Sequence, residues 1–133
     1  MARVFVDTSA IFALLDRTDV CHDAAREVLS DLRRRRKGVL LTNFVVAESH
    51  ALLLTRLGAD IARRWVIENV WPVERVTESD ESRARAILAK YTDKTFSYTD
   101  ATSFAVMERL DLRIAFAFDP HFRQYGFQVI GLA

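Results

Sequence analysis

Two apolar runs constrain this chain more than any other feature. Val4-Phe5-Val6 near the start and Ile114-Ala115-Phe116-Ala117-Phe118 near the end are short, β-prone and without polar alternation. Such runs predict strands covered on both faces, as in a parallel sheet between layers of helices. Each run is followed at once by an aspartate, Asp7 and Asp119. Parallel strands end on the same edge of their sheet, and open α/β sheets build their sites there.

The intervening sequence fits this frame. Thr8 or Ser9 caps a first helix through Ala10-Leu15, and a second runs from about His22 to Arg36, ending at Gly38. Val39-Leu40-Leu41 reads as a strand. Thr42 or Asn43 opens a helix through Leu57; Gly58 closes it, and Asp60 begins another reaching roughly Asn69. Pro72 precedes a short strand from Val73 to Val76. A helix from near Ser79 places Ala84, Ile87, Leu88 and Tyr91 on one face, and Ser97 or Thr99 opens a further one to Leu110. Gln128-Val129-Ile130 supplies a last strand. Strand and helix alternating in this way predict an α/β fold with a mostly parallel sheet, in one domain spanning 1–133.

Composition narrows the function classes. With 19 Lys+Arg against 18 Asp+Glu the net charge is +1, so any anionic partner is met by a local patch rather than a global field. Cys21 is the sole cysteine and has no internal disulfide partner. The longest apolar stretch, Ala10 to Leu15, is too short to span a bilayer, and a soluble cytoplasmic protein with no membrane partner is expected.

Most acids, Asp80 and Glu74 among them, lie in polar stretches or at helix starts and read as solvated surface. Four do not. Asp7 and Asp119 end buried strands. Glu48 sits mid-helix with Phe44, Val45, Ala51 and Leu52 three and four residues away, and Asp100 has Ser103, Phe104 and Met107 on its face. An ionised carboxylate buried without a partner costs several kcal/mol or takes up a proton. A shared cation answers all four cases together. Carboxylates without His or Cys suit Mg²⁺ or Mn²⁺ rather than zinc. Such ions neutralise phosphate charge, stabilise a leaving oxygen and lower the pKa of an attacking water, which makes metal-assisted phosphoryl hydrolysis the expected chemistry. Plainer readings stand beside this one. Asp7 can cap a helix, Asp100 can complete a capping box with Ser97, and Asp119 can cap a helix with Pro120 at its first position. Glu48 has no capping role.

The motifs Val6-Asp7-Thr8-Ser9, Val46-Ala47-Glu48-Ser49, Ser97-Tyr98-Thr99-Asp100-Ala101 and Phe118-Asp119-Pro120-His121-Phe122, in this order, resemble those of PIN-domain proteins over essentially the whole chain. The likeness is greatest to the small VapC-type ribonuclease toxins of toxin–antitoxin pairs. It implies a three-layer α/β/α sandwich and a Mg²⁺- or Mn²⁺-dependent endonuclease with an RNA substrate. A cognate antitoxin and a homodimer are implied as partners. By the same resemblance Asp7, Glu48 and Asp100 hold the principal ion, with Asp119 a ligand to it or to a second one. Ser9 or Thr8 orients the first carboxylate, and Thr99 does so for Asp100.

Other features carry less. The basic run Arg33-Arg34-Arg35-Arg36-Lys37 suits a helix C-terminus, with phosphate contact as the alternative, and Arg123 is better placed for a phosphate near the acids. Tyr98, Phe122, Trp65 and Trp71 read as core or interface before base-stacking, Trp65 with Ile61 and Ala62 as a dimer or antitoxin groove. His121, two residues from Asp119, is a weaker candidate for touching substrate. A HAD-type phosphatase needs a second aspartate where Ser9 stands, and a receiver domain needs a late lysine, absent after Lys94. The remaining alternatives are a PIN-domain processing nuclease that is not a toxin, and a binding module without catalysis.

Overall fold

The computed structural model describes residues 3–132. Its centre is a parallel sheet of β1 (Val4–Val6), β2 (Val39–Thr42), β3 (Val73–Glu74), β4 (Ile114–Ala117) and β5 (Gln128–Gly131), in the order β3-β2-β1-β4-β5. Every neighbouring pair is parallel. Helices α1 (Thr8–Leu15), α2 (His22–Arg34), α3 (Asn43–Leu57) and α4 (Ala59–Glu68) connect β1 to β2 to β3 in one direction, while α5 (Glu78–Lys90), α6 (Tyr98–Arg109) and α7 (His121–Tyr125) lead back through β4 to β5. Right-handed crossovers in opposite directions put the two sets on opposite faces. The packing pairs agree: α1 lies on α2 and α3, α3 on α4, and α6 on α5 and α7. The result is the expected α/β/α sandwich.

Connections leave β1 and β4 in opposite directions, so the crevice beyond their carboxyl ends is the topological switch point of the sheet. Both strands are buried as their uninterrupted apolar runs require; Phe5 and Phe116 have no exposed surface. Phe122 fixes α7 to this core, 5.9 Å from Phe5 and edge-on to Phe104 at 5.0 Å. That anchors the segment just after Asp119.

Four local details settle or correct the sequence reading. The first helix is capped by Asp7, whose carboxylate accepts from the Ser9 amide, rather than by Thr8 or Ser9. Helix α2 stops at Arg34 because Arg36 turns left-handed (φ 53°) and the Lys37 amide closes back on the Leu32 carbonyl. Strand β3 ends at Glu74 rather than Val76, since the Val76 amide donates to the Asn43 side chain and leaves the sheet. Asp80, read as surface, is buried: it completes a capping box with Thr77 and receives Arg109 of α6 at 2.9 Å. Arg109 also reaches Glu74, so β3, α5 and α6 meet in one ion-pair network.

Candidate active site

Asp7 continues β1 into the crevice, its amide donating to the Phe116 carbonyl of β4 at 3.0 Å. Its side chain is buried. One oxygen, Oδ2, accepts from the Ser9 amide at 3.1 Å and the Ser9 hydroxyl at 2.7 Å. The Ser9 hydroxyl in turn accepts from the Phe118 amide at 2.9 Å. The capping and site readings of Asp7 therefore coexist, because capping occupies Oδ2 and no donor among the described residues takes Oδ1.

Asp100 arrives from the other helical layer and is built the same way. The Ser97 hydroxyl caps the Asp100 amide, and Asp100 Oδ2 returns the bond to the Ser97 amide at 3.0 Å. His121 Nδ1 stands 2.8 Å from that same oxygen. Asp119 bends the chain after β4, its Oδ1 accepting from the His121 amide at 2.9 Å; Pro120, not Asp119, precedes the first residue of α7. Glu48 is half-buried on α3, next to Ser49, whose hydroxyl donates to Thr8 at 3.2 Å. The Thr8 and Thr99 hydroxyls serve Glu48. Thr99 was expected beside Asp100, a position that Ser97 and His121 take.

Asp100 and Asp119 act electrostatically on both Asp7 and Glu48. Burial is the main reason the Asp7 carboxyl lies well above its ordinary range, and repulsion from Asp119 and Asp100 adds to it against the Ser9 hydrogen bonds. Glu48 is raised by burial and by Asp100 and Asp119 against its threonine hydroxyls. Asp100 is raised by burial and Asp119, opposed by Ser97 and His121. Carboxylates on separate chain segments that raise a neighbour's pKa lie within Coulombic range of it. An all-carboxylate donor set, short of compensating charge and with one oxygen of each aspartate left over, fits a hard divalent cation. Ligand atoms of Asp100, Asp119 and His121 also lie within 4.8 Å of one another.

The other sequence candidates separate by edge. The basic run ends α2 at the amino edge: the Gly38 carbonyl accepts from Val4, where β1 begins. Three residues of β1 then separate it from Asp7, about 10 Å at strand rise. It does not reach the acids. Arg123 lies within α7, donating to the Leu132 carbonyl at 3.3 Å. Phe122 is core; Tyr98 is partly exposed, tied to Glu81 and packed on Phe44. Trp65 and Trp71 line a groove with Leu15, Leu57, Ile61 and Val70, of about 650 Å³. His121 was the residue undervalued in the sequence; its position two residues past Asp119 was the available signal.

Comparison with known proteins agrees with this geometry. The PIN domain family matches residues 4–128. The 23S rRNA-specific endonuclease VapC20 of Mycobacterium tuberculosis, in strains CDC 1551 and H37Rv, is 35% identical over 127 residues, covering 93% of this chain and 95% of that protein. The crystal structure of VapC20, described as a sarcin-ricin loop cleaving toxin, superposes with a TM-score of 0.83 at 34% identity, over 93% of this chain and 95% of that one. FitAcB from Neisseria gonorrhoeae shares the fold, with a TM-score of 0.69 at 19% identity over 96% of each chain.

Proposed function

The chain belongs to the PIN-domain family, and from that premise we propose that it is a divalent-metal-dependent endoribonuclease, the toxin of a toxin–antitoxin pair. The observation that carries the chemistry is the convergence of Asp7, Glu48, Asp100 and Asp119 at the switch point, with three of their pKa values raised by burial and by one another. These four residues hold the ion, Mg²⁺ or Mn²⁺. When bound, it neutralises the scissile phosphate and makes an attacking water more acidic.

The chain's own groups do the arranging. Ser9 holds Oδ2 of Asp7, and Ser97 holds Oδ2 of Asp100, so each aspartate offers its other oxygen in a set direction. Glu48 and Asp119, partly exposed, form the open side against which an RNA backbone lies. The Ser9 hydroxyl is committed to Asp7 and Phe118, so it is no nucleophile, and water is the attacking group. The substrate class follows the relative: a structured ribosomal RNA loop. Purified protein incubated with a sarcin-ricin hairpin RNA should cleave it with Mg²⁺ or Mn²⁺ and not with EDTA. Undiminished cleavage by Asp7→Asn or Asp100→Asn would overturn the proposal.

The partner side of the proposal is a cytoplasmic homodimer bound by an antitoxin. The exposed groove of Trp65 and Trp71, apart from the acids and edged by Ile61 and Val70, suits an apolar segment of that partner. Ile61→Asp should abolish co-purification with the product of a short adjacent gene and leave RNA cleavage intact.

A further inference from the structure

His121 makes more contacts to the acid cluster than its place in the sequence implied. Its amide donates to Asp119 Oδ1 at 2.9 Å, and its ring Nδ1 lies 2.8 Å from Asp100 Oδ2 and 3.9 Å from Asp119 Oδ1. The ring stands edge-on to Phe96 at 5.7 Å, and Nε2 lies 3.4 Å from the Thr95 hydroxyl. Phe122, the next residue, is wholly buried. The imidazole is thus held from its backbone, its flank and its far nitrogen.

A carboxylate oxygen only accepts, so Nδ1 carries the proton toward Asp100. Asp100 Oδ2 then receives two donors, the Ser97 amide and the His121 ring, and Oδ1 is the oxygen left for a cation. We infer that His121 is a positioning residue: it holds Asp100 through its ring and Asp119 through its amide, and so sets the two carboxylates of α6 and the β4–α7 turn in register for one divalent ion. This rests on the metal-centre proposal above. The competing assignment makes His121 a ligand, since its ring lies within 4.8 Å of the carboxylate oxygens. Against it, Nδ1 is spent on Asp100 and Nε2 faces Thr95. Groups that orient metal ligands typically carry a 10–100-fold share of metal affinity.

The test is Mn²⁺ titration calorimetry on the full chain without RNA, with thermal melts of the metal-free proteins to register folding. His121→Ala should bind Mn²⁺ about tenfold or more weakly than wild type. His121→Asn places an amide N–H where Nδ1 was and should recover most of that loss, whereas His121→Gln, which imitates Nε2, should not. Wild-type affinity in His121→Ala, or recovery by His121→Gln and not His121→Asn, overturns the inference. Asp100→Asn is the control: if it loses Mn²⁺ while His121→Ala does not, only the inference falls. If the wild type itself shows no saturable binding, the metal-centre proposal falls, and this with it.

Discussion

The Ser9 hydroxyl accepts a hydrogen bond from the Phe118 amide at 2.9 Å, across 109 positions of sequence, while donating to Asp7 at 2.7 Å. One hydroxyl thereby ties the segment after β1 to the segment after β4 and holds the two strand ends that carry Asp7 and Asp119. Ser9→Ala removes an acceptor from the Phe118 amide and a donor from Asp7. Loss of a partner for a part-buried group costs about 1–3 kcal/mol, which urea unfolding should register. Mn²⁺ affinity should fall as well. Ser9→Thr keeps the hydroxyl and should retain both properties.

The raised Asp7 pKa has a defined consequence for stability. Its folded value lies above the ordinary 3.8, so the folded state binds the proton more tightly than the unfolded chain. Stability contributed by this group is greatest at low pH and is lost as pH rises from the ordinary value through the folded one. Metal-free protein therefore bears, as pH rises, the cost of ionising a carboxyl that is buried and lies near Asp119 and Asp100. Asp7→Asn, which still caps α1, should raise the melting temperature in EDTA, and Mg²⁺ or Mn²⁺ should stabilise the wild type but not the variant. A variant that melts below the wild type in EDTA would refute this.

The Asp80–Arg109 pair titrates in the opposite sense. Burial draws the Asp80 carboxyl upward, but hydrogen bonds from Arg109 and Thr77 outweigh it and leave the pKa below the ordinary 3.8. Its stabilisation is therefore present above that ordinary value and lost as pH falls through the folded one. Arg109→Leu strands a buried carboxylate and should cost about 3 kcal/mol, the low end for a broken buried pair because Arg109 itself is one-third exposed. Acid unfolding monitored by circular dichroism should lose part of its steepness below the ordinary 3.8 in that variant.

The arginine run lies at the amino edge of the sheet, away from the acids. Replacing Arg33, Arg34 and Arg35 together by Ala should leave kcat/KM for a short RNA hairpin within about twofold of wild type. A tenfold fall, equal to about 1.4 kcal/mol of transition-state stabilisation, would show that RNA wraps to that edge.

The legible part of the site is the part encoded locally. An unbroken apolar run marks β1 and β4, and the residue that ends each run is Asp7 or Asp119; parallel direction alone then brings both to one edge. Glu48 and Asp100 stood out because an acid among apolar residues at helical spacing has a cost that something must offset. Those are the four residues of the proposed metal site. Asp80 shows where this reasoning fails. Its local setting is a helix start like any other, and only the packing of α6 on α5 buries it and supplies Arg109.

By itself, then, the sequence determined the elements, their parallel order of use and the acids that belong to the sheet edge, because hydrophobic period and capping chemistry act within a few residues. Tertiary structure decided the rest. It chose which carboxylate oxygen is held and which is left over, set His121 between Asp100 and Asp119, gave Thr99 to Glu48, and sent the basic run to the far edge. These depend on strand register and on how helical layers meet, where residues 21 and 109 positions apart come within 3 Å and no local pattern records the distance.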